Sequence, residues 1–402
     1  MLRNRDIIIT GIQSWDISIG SNIKNIAIEL SKENRVLFVN PPIDRISKIT
    51  KRSSLSRITK ETLHQINSNL WILQPHHIIE SINYIPIVGL FDMMNRSNNI
   101  RFAKDIVKAL SILGFLDYIH ICDSDMFRSF YLKDLLSPSL SVYYSRDNLQ
   151  AVNYWKRHGK RIEPLLIEKV DLVLTNSLFL SNKAKLYNNN SFFVGQGCDT
   201  KAYTPNVYLK IPKDIASIKK PIVGYIGSLN SLRLDIEVLE FIAITKKEWQ
   251  IVLVGPEDST FKSSNLHHLS NVHFLGLKNE NELPEYLNKF DVAINPQKIN
   301  EVTIGNYPRK IDEYLAMGKP TVATKTEAME YFKDYVSLAK DKKDWISMIE
   351  LEMESTGSLK KLQRIQFASE HTWKNNVNSI GKYIIRKEQG AILAKNLYES
   401  AF

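Results

Sequence analysis

Runs of apolar, often β-branched residues recur along the first half of the chain. Each is closed by glycine, proline or a polar cluster, and amphipathic stretches lie between them. Residues 6–10 (DIIIT) read as a buried strand ended by Gly11. After a loop holding Trp15, Asp16 and Gly20, Ser21 can cap a helix whose Ile23, Ile26, Ala27 and Leu30 fall at i, i+3, i+4, i+7. Residues 36–40 (VLFVN) are the next strand, stopped by Pro41-Pro42. Strand, helix, strand is the opening of a parallel, doubly wound sheet. Runs at 70–73 and 84–91 read as strand or core pieces. Residues 101–113 predict a helix with Ala103, Ile106, Val107 and Leu110 as its stripe. Residues 118–122 (YIHIC) predict a strand, 127–136 a helix, and 141–144, 170–175 and 192–195 further strands.

Residues 200–220 hold Pro205, Pro212 and several lysines with little periodicity, as a linker does. The pattern then restarts. Strands are expected at 221–227, 250–255, 272–275, 291–295 and 321–324. Helices are expected on Leu232, Ile236, Leu239, Ile242 and Ala243, and at 283–289. The stretch 306–324 (NYPRKIDEYLAMGKPTVAT) carries a helix with Ile311, Tyr314 and Leu315 on one face, Asn306 as its cap, Pro308 in the first turn, and Gly318 with Pro320 as the stop. From Trp345 the chain reads as helices, with Trp373, Val377, Ile380 and Ile384 spaced for one face. The expected fold is α/β: two Rossmann-like doubly wound domains, 1–199 and 221–370, joined by a linker over 200–220. A helical tail, 371–402, packs back across them.

Composition adds charge. The chain has 402 residues and a formal net charge of +10, unevenly placed. Residues 1–205 carry 26 Lys and Arg against 18 Asp and Glu, and the remainder 27 against 25. The first half is therefore where an acidic partner would bind. Residues 43–60 hold six basic residues against one acidic, and read either as a solvated basic loop or as a patch for an anionic membrane surface. No aromatic-plus-basic signature points to nucleic acid. The two cysteines, Cys122 and Cys198, form neither a disulfide framework nor a zinc spacing, and fit a reducing cytosol. No apolar run reaches the ~18 residues of a spanning helix, and Arg3, Arg5 and Asp6 interrupt any leader after Met1. The expectation is a cytoplasmic protein, peripheral at most to the inner face of the membrane.

Chemistry concentrates where strands end. Lys310 and Glu313, three apart, share one face near a helix start, suiting an anion and a sugar hydroxyl. The glycine turn Gly227-Ser228-Leu229-Asn230 precedes another helix, with Arg233 near its first turn. Two cations and two helix starts can compensate a diphosphate leaving group without a metal. For a base acting on an acceptor hydroxyl the candidates are Asp147, in SRDN beyond a strand end, then Asp16, on the first strand–helix loop, and His120. Each has a plainer reading: a turn or cap for the two aspartates, a satisfied core residue for the histidine. Asp123-Ser124-Asp125 has the form of a metal-binding D-x-D but reads as a decoy.

YIGSLNSLRLD, FLGLKNENELPEYLNKFDVAINP and PRKIDEYLAMGKPTVAT resemble the donor domain of GT-B glycosyltransferases, most of all family 4-like bacterial enzymes of polysaccharide assembly, the teichuronic-acid type included. GQGCDTKAY is similar to that family's hinge. The resemblance implies a hexosyltransferase-type enzyme that moves a sugar from a nucleotide-diphosphate sugar to a saccharide or polyprenyl-linked acceptor. It implies no cofactor beyond that co-substrate and no metal. It places Glu313 on the donor ribose, with Glu301 and Asn306 nearby, Gly227, Ser228, Arg233 and Lys310 on the diphosphate, and Gly276, Leu277 and Lys278 on the base. One departure stands out: the first of the family's paired glutamates falls at Gly305, where Glu301 is the candidate substitute. The alternatives are a sugar-nucleotide epimerase of the same fold and a non-catalytic homologue that binds nucleotide sugar.

Overall fold

A computed structural model describes residues 2–17, 21–50, 62–205, 210–355 and 357–399. It divides the chain into two compact units, Met1–Gly195 with Trp373–Phe402, and Gln196–Thr372.

The first unit is built in chain order from β1 (Asp6–Gly11), α1 (Asn22–Leu30), β2 (Arg35–Val39), α2 (Arg45–Thr50), β3 (Leu63–Asn67), β4 (Leu70–Leu73), α3 (Val88–Leu113), β5 (Ile119–Asp123), α4 (Leu132–Leu136), β6 (Leu140–Ser145), α5 (Asn153–Lys169), β7 (Leu172–Thr175), α6 (Leu178–Lys185) and β8 (Ser191–Phe193). Its strands lie in the order β3-β4-β2-β1-β5-β6-β7-β8, all parallel except β3 against β4. Ser21 caps α1, its hydroxyl accepting from the Lys24 amide, so the predicted start holds. Two expectations change. The helix placed at 101–113 begins at Val88, and the run at 84–91 is its entry, exposed over 86–90 and buried at Phe91. The helix placed at 127–136 is confined to Leu132–Leu136, after a series of turns. The basic stretch 43–60 is described only as far as α2, and residues 51–61 lie outside the described residues.

The second unit contains α7 (Lys213–Ala216), β9 (Ile222–Ile226), α8 (Ile236–Thr245), β10 (Gln250–Val254), α9 (Ser259–Lys262), β11 (Val272–Gly276), α10 (Leu283–Lys289), β12 (Val292–Asn295), α11 (Arg309–Ala316), β13 (Thr321–Thr324), β14 (Ser337–Ala339), α12 (Lys342–Glu354) and α13 (Ser358–Ser369). The sheet is parallel throughout, ordered β11-β10-β9-β12-β13-β14. Its core joins Val223, Leu239, Ile242, Ile251, Leu253 and Ile294 to Trp345 and Ile349 of α12. Leu232 lies outside α8 and exposed; Asp235 caps that helix instead, accepting from the Glu237 and Val238 amides.

The last helix, α14 (Trp373–Glu399), belongs to the first unit. Val377, Ile380 and Ile384 enter the core made by Ile7, Ile23, Ile26 and Leu30. Asn376 donates to the carbonyls of Val194 and Gly195, and Arg5 forms a two-bond ion pair with Glu388. The predicted apolar face is thus buried as expected. Among the described residues no helix is long and apolar enough to cross a membrane.

Candidate active-site elements in each unit

In an open parallel sheet, neighbouring connections diverge at one point, and the strand ends there form a crevice. In the second unit this point lies between β9 and β12. Tyr225 is on β9, Gly227 follows it, and α11 is the helix after β12. Lys310, in the first turn of α11, puts its ammonium on the Tyr225 hydroxyl and 4.0 Å from that ring's centre. Gly227, at φ +144°, leaves room for it: a Cβ there would stand 2.7 Å from Lys310 Nζ. Gly255, at φ +148°, is equally constrained, because a Cβ would fall 1.9 Å from the Gly227 carbonyl oxygen. The two glycines bring the ends of β9 and β10 together beneath the lysine.

Lys310 is half-buried, with its ammonium against the Tyr225 ring. Burial, opposed by Glu313 and reinforced by Arg233 and Arg309, brings its pKa down to about 7. Glu313 is itself buried, which raises its carboxyl, while Arg309 and Lys310 pull it back. Arg309 Nε donates to Glu313 Oε1 at 3.1 Å. The site is therefore a cation-rich recess with one carboxylate already engaged.

Asn306 does not cap α11. The helix starts at Arg309, and Pro308 occupies the cap position without a side-chain bond. Oriented to satisfy its neighbours, the Asn306 amide accepts from Arg233 Nη1 at 2.8 Å and donates to the Val302 carbonyl at 3.2 Å. The chain between them had to fold back to join these two predicted residues. Ser228 follows Gly227, its carbonyl accepting from the Tyr225 hydroxyl at 3.3 Å. Glu301 sits at an exposed turn of the loop, next to Asn300, whose side chain accepts from the Val302 and Thr303 amides. Gly276 ends β11 at the edge of the sheet, with Leu277 and Lys278 after it; Leu277 is exposed, and Lys278 is held by Asp214 at 2.7 Å.

Behind α11 runs a chain of buried polar bonds that the sequence pattern did not reveal. Asp312 accepts from the Tyr307 hydroxyl at 2.8 Å and meets His371 Nδ1 at 2.6 Å, and His371 Nε2 lies 2.9 Å from the Tyr331 hydroxyl. Tyr225, Arg309 and Asp312 carry no mark of their own in the sequence. Their neighbours at strand ends and beside Glu313 were the only signal available.

In the first unit the corresponding point lies between β1 and β5. Gly11 ends β1 beside Asp123, where a Cβ would stand 3.0 Å from the aspartate's own Cβ. Asp123 is fully buried, and Arg146 Nε donates to its Oδ1 at 2.7 Å. Burial raises the Asp123 carboxyl, opposed by Arg146. Its Oδ2, and Arg146 Nη2, are buried with no hydrogen-bond partner among the described residues. Asp147, one-third exposed, stands 3.8 Å from Arg146 Nη1. Asp125 pairs with Arg128 at 2.6 Å, so each carboxylate of the Asp-Ser-Asp triplet faces an arginine.

Of the candidate bases, Asp147 is at this point and Asp16 is in the exposed turn after β1. His120 is inside β5, 2.9 Å from the Thr10 hydroxyl, and burial lowers its pKa to about 4. It is a neutral core histidine. The structure does not bring it to the strand ends, which corrects its place among the candidates.

Comparison with known proteins follows this division. Residues 220–350 match the family model of glycosyl transferases group 1. TuaH of Bacillus subtilis (strain 168), whose name places it in teichuronic acid biosynthesis as a glycosyltransferase, is 26% identical over 173 residues, 41% of this chain and 43% of that protein. Less than half the length of this curated relative is therefore matched. Among solved structures, sucrose-phosphate synthase of Thermosynechococcus elongatus has a TM-score of 0.66 at 15% identity, covering 96% of this chain and all of the other. Anabaena HepE, solved with UDP, has 0.60 at 14% identity, covering 98% and 100%. Residues 220–350 thus match the group 1 glycosyl transferases, and the chain as a whole shares the two-sheet GT-B fold of these solved structures.

Proposed function

We propose that the protein is a glycosyltransferase that moves a sugar from a nucleotide-diphosphate sugar to a saccharide or lipid-linked acceptor in surface-polysaccharide assembly. The observation that carries this is the Lys310–Tyr225–Gly227 recess at the switch point of the matched unit, with Arg233 and Arg309 beside it. A departing diphosphate accumulates negative charge, and cations held in place by packing stabilise it without reorganising. Here they supply that compensation without a metal, and no cofactor takes part beyond the donor. Glu313 suits the donor's ribose hydroxyls, an acceptor of hydrogen bonds already oriented by Arg309. The names of TuaH and of HepE bound to UDP support the same substrate class.

In the first unit, the Asp123–Arg146–Asp147 cluster is the acceptor end of the reaction. Asp147 is the partly exposed carboxylate able to accept a hydroxyl proton; Asp123 fixes the arginine beside it and is a positioning residue. An anionic membrane surface, beside which a polyprenyl-linked acceptor would lie, completes the setting. A panel of nucleotide sugars tested with and without acceptors decides the matter. Nucleotide release that requires an acceptor supports transfer. Interconversion of the donor alone would mean an epimerase. Binding without turnover would favour the non-catalytic reading, which Gly305 in place of the family's first glutamate supports. Asp147→Asn should abolish transfer and leave donor binding intact; retained turnover removes Asp147 from the mechanism.

A further inference from the structure

Several exposed large apolar side chains lie close together in sequence at one place in the first unit. Residues 86–90, the turn into α3 and its first residues, are all exposed, and Ile87, Val88 and Leu90 are among them. Tyr84 is 71% exposed before the turn and Met93 63% exposed one helical turn further. The segment is nevertheless held firmly. Arg157 donates to the Tyr84 carbonyl, His158 Nε2 bonds the Ile85 carbonyl at 2.7 Å, and Arg161 pairs with Asp92 at 2.6 Å. Phe91 points the other way, fully buried and stacked on His158 at 3.8 Å between ring centres. The chain has therefore anchored this tip through its polar backbone groups while leaving its apolar side chains in water, where each costs free energy.

The anchoring helix, α5, is also the source of charge. Segments 84–100 and 153–161 together contain five Lys or Arg (Arg96, Lys156, Arg157, Lys160, Arg161) and one acid, Asp92, which Arg161 already neutralises. Lys156, Arg157 and Lys160 are exposed, with Tyr154 half exposed among them. Two copies of such a surface meeting face to face would set like charges against each other. The core of a protein–protein interface is depleted of charge rather than fringed by lysine. An apolar tip bordered by basic residues matches the layering of an anionic bilayer, acyl chains beneath phosphates.

We infer that the Tyr84–Met93 tip and the basic face of α5 form the surface by which this protein rests on an anionic membrane, with Ile87, Val88 and Leu90 entering the headgroup layer and Lys156, Arg157 and Lys160 meeting lipid phosphates. This rests on the reading of the first unit as the membrane-facing half, but not on the chemistry of transfer. It also moves the contact away from the basic stretch 43–60.

The test is co-flotation of the full chain with vesicles of phosphatidylglycerol and phosphatidylcholine, against phosphatidylcholine alone, without donor or acceptor. The anionic vesicles should be preferred. The double variant Ile87→Asp/Leu90→Asp should lower binding by about tenfold or more, and Lys156→Glu/Lys160→Glu by a similar factor that shrinks as salt rises. Arg45→Glu/Lys48→Glu should lower it less. All six positions are exposed or nearly so, and unchanged thermal unfolding and nucleotide binding confirm that each variant is folded. No preference for anionic vesicles would overturn the inference, as would patch variants that bind like the parent. So would a self-association that Leu90→Asp disrupts while vesicles go unbound. Lost vesicle binding with intact sugar transfer would leave the proposed reaction standing.

Discussion

Lys310 owes its chemistry to its surroundings. Burial brings its pKa down to about 7, and a bound diphosphate would raise it again by placing negative charge beside it. The sign follows directly. Below about pH 7 the lysine is already charged and donor affinity is flat. Above it, binding must take up a proton, so affinity falls as pH rises, at most roughly tenfold per unit. Calorimetry of a nucleotide-diphosphate sugar in two buffers of different protonation enthalpy should show this uptake above pH 7. Lys310→Ala should remove it and weaken binding even without acceptor; unchanged affinity would count against the donor-site assignment. Gly255→Ala tests the floor of the same recess. With φ at +148° and a Cβ 1.9 Å from the Gly227 oxygen, the loop cannot stay where it is. A loss of about 2–4 kcal/mol in unfolding free energy is expected, with donor binding lost alongside.

At the scale of elements, α10 and β13 match their predicted bounds to the residue, because uninterrupted short patterns leave one way to bury an apolar face. The first half of α3 was illegible for the opposite reason. Its buried stripe is Phe91, Asn95, Asn98, Asn99 and Phe102, three of them amides. Two of those amides are satisfied by distant backbone: Asn99 donates to the Phe127 carbonyl and accepts from the Tyr131 amide, and Asn98 accepts from the Glu80 amide. A hydrophobic pattern cannot show a stripe made of asparagine. Likewise Asp312 faces away from the recess while its neighbours Ile311 and Glu313 carried the reading, and its partner His371 is 59 positions along. Asp312→Asn keeps the shape but replaces one acceptor oxygen with a donor, stranding a buried group. Thermal unfolding should report a loss of about 1–3 kcal/mol, and donor binding should weaken because α11 carries Lys310. An unchanged transition would show that the bonds behind α11 hold nothing in place.

For the molecule as a whole, α14 completes the core of the unit from which it is most distant in sequence. A chain ending at Thr372 would uncover the apolar cluster around Ile7, Ile23 and Ile26. The first unit of such a chain should aggregate or be cleaved rapidly in limited proteolysis, while the second, with its own core around Leu239 and Trp345, should still bind nucleotide. Resistance of both units would show that the helix is dispensable. The periodicities alone determined two α/β halves, the strands of each sheet's centre, the apolar face of the last helix, and the neighbourhood of Lys310 and Glu313, since these depend on residues within a turn or a strand of one another. Tertiary structure alone decided that Asn306 serves Arg233 rather than a helix end, that His120 is core, that Asp123 and Arg146 are one buried pair, and that an apolar tip stands among lysines. Each of those depends on which strand lies beside which, and so on contacts between residues far apart in the chain that no local pattern encodes.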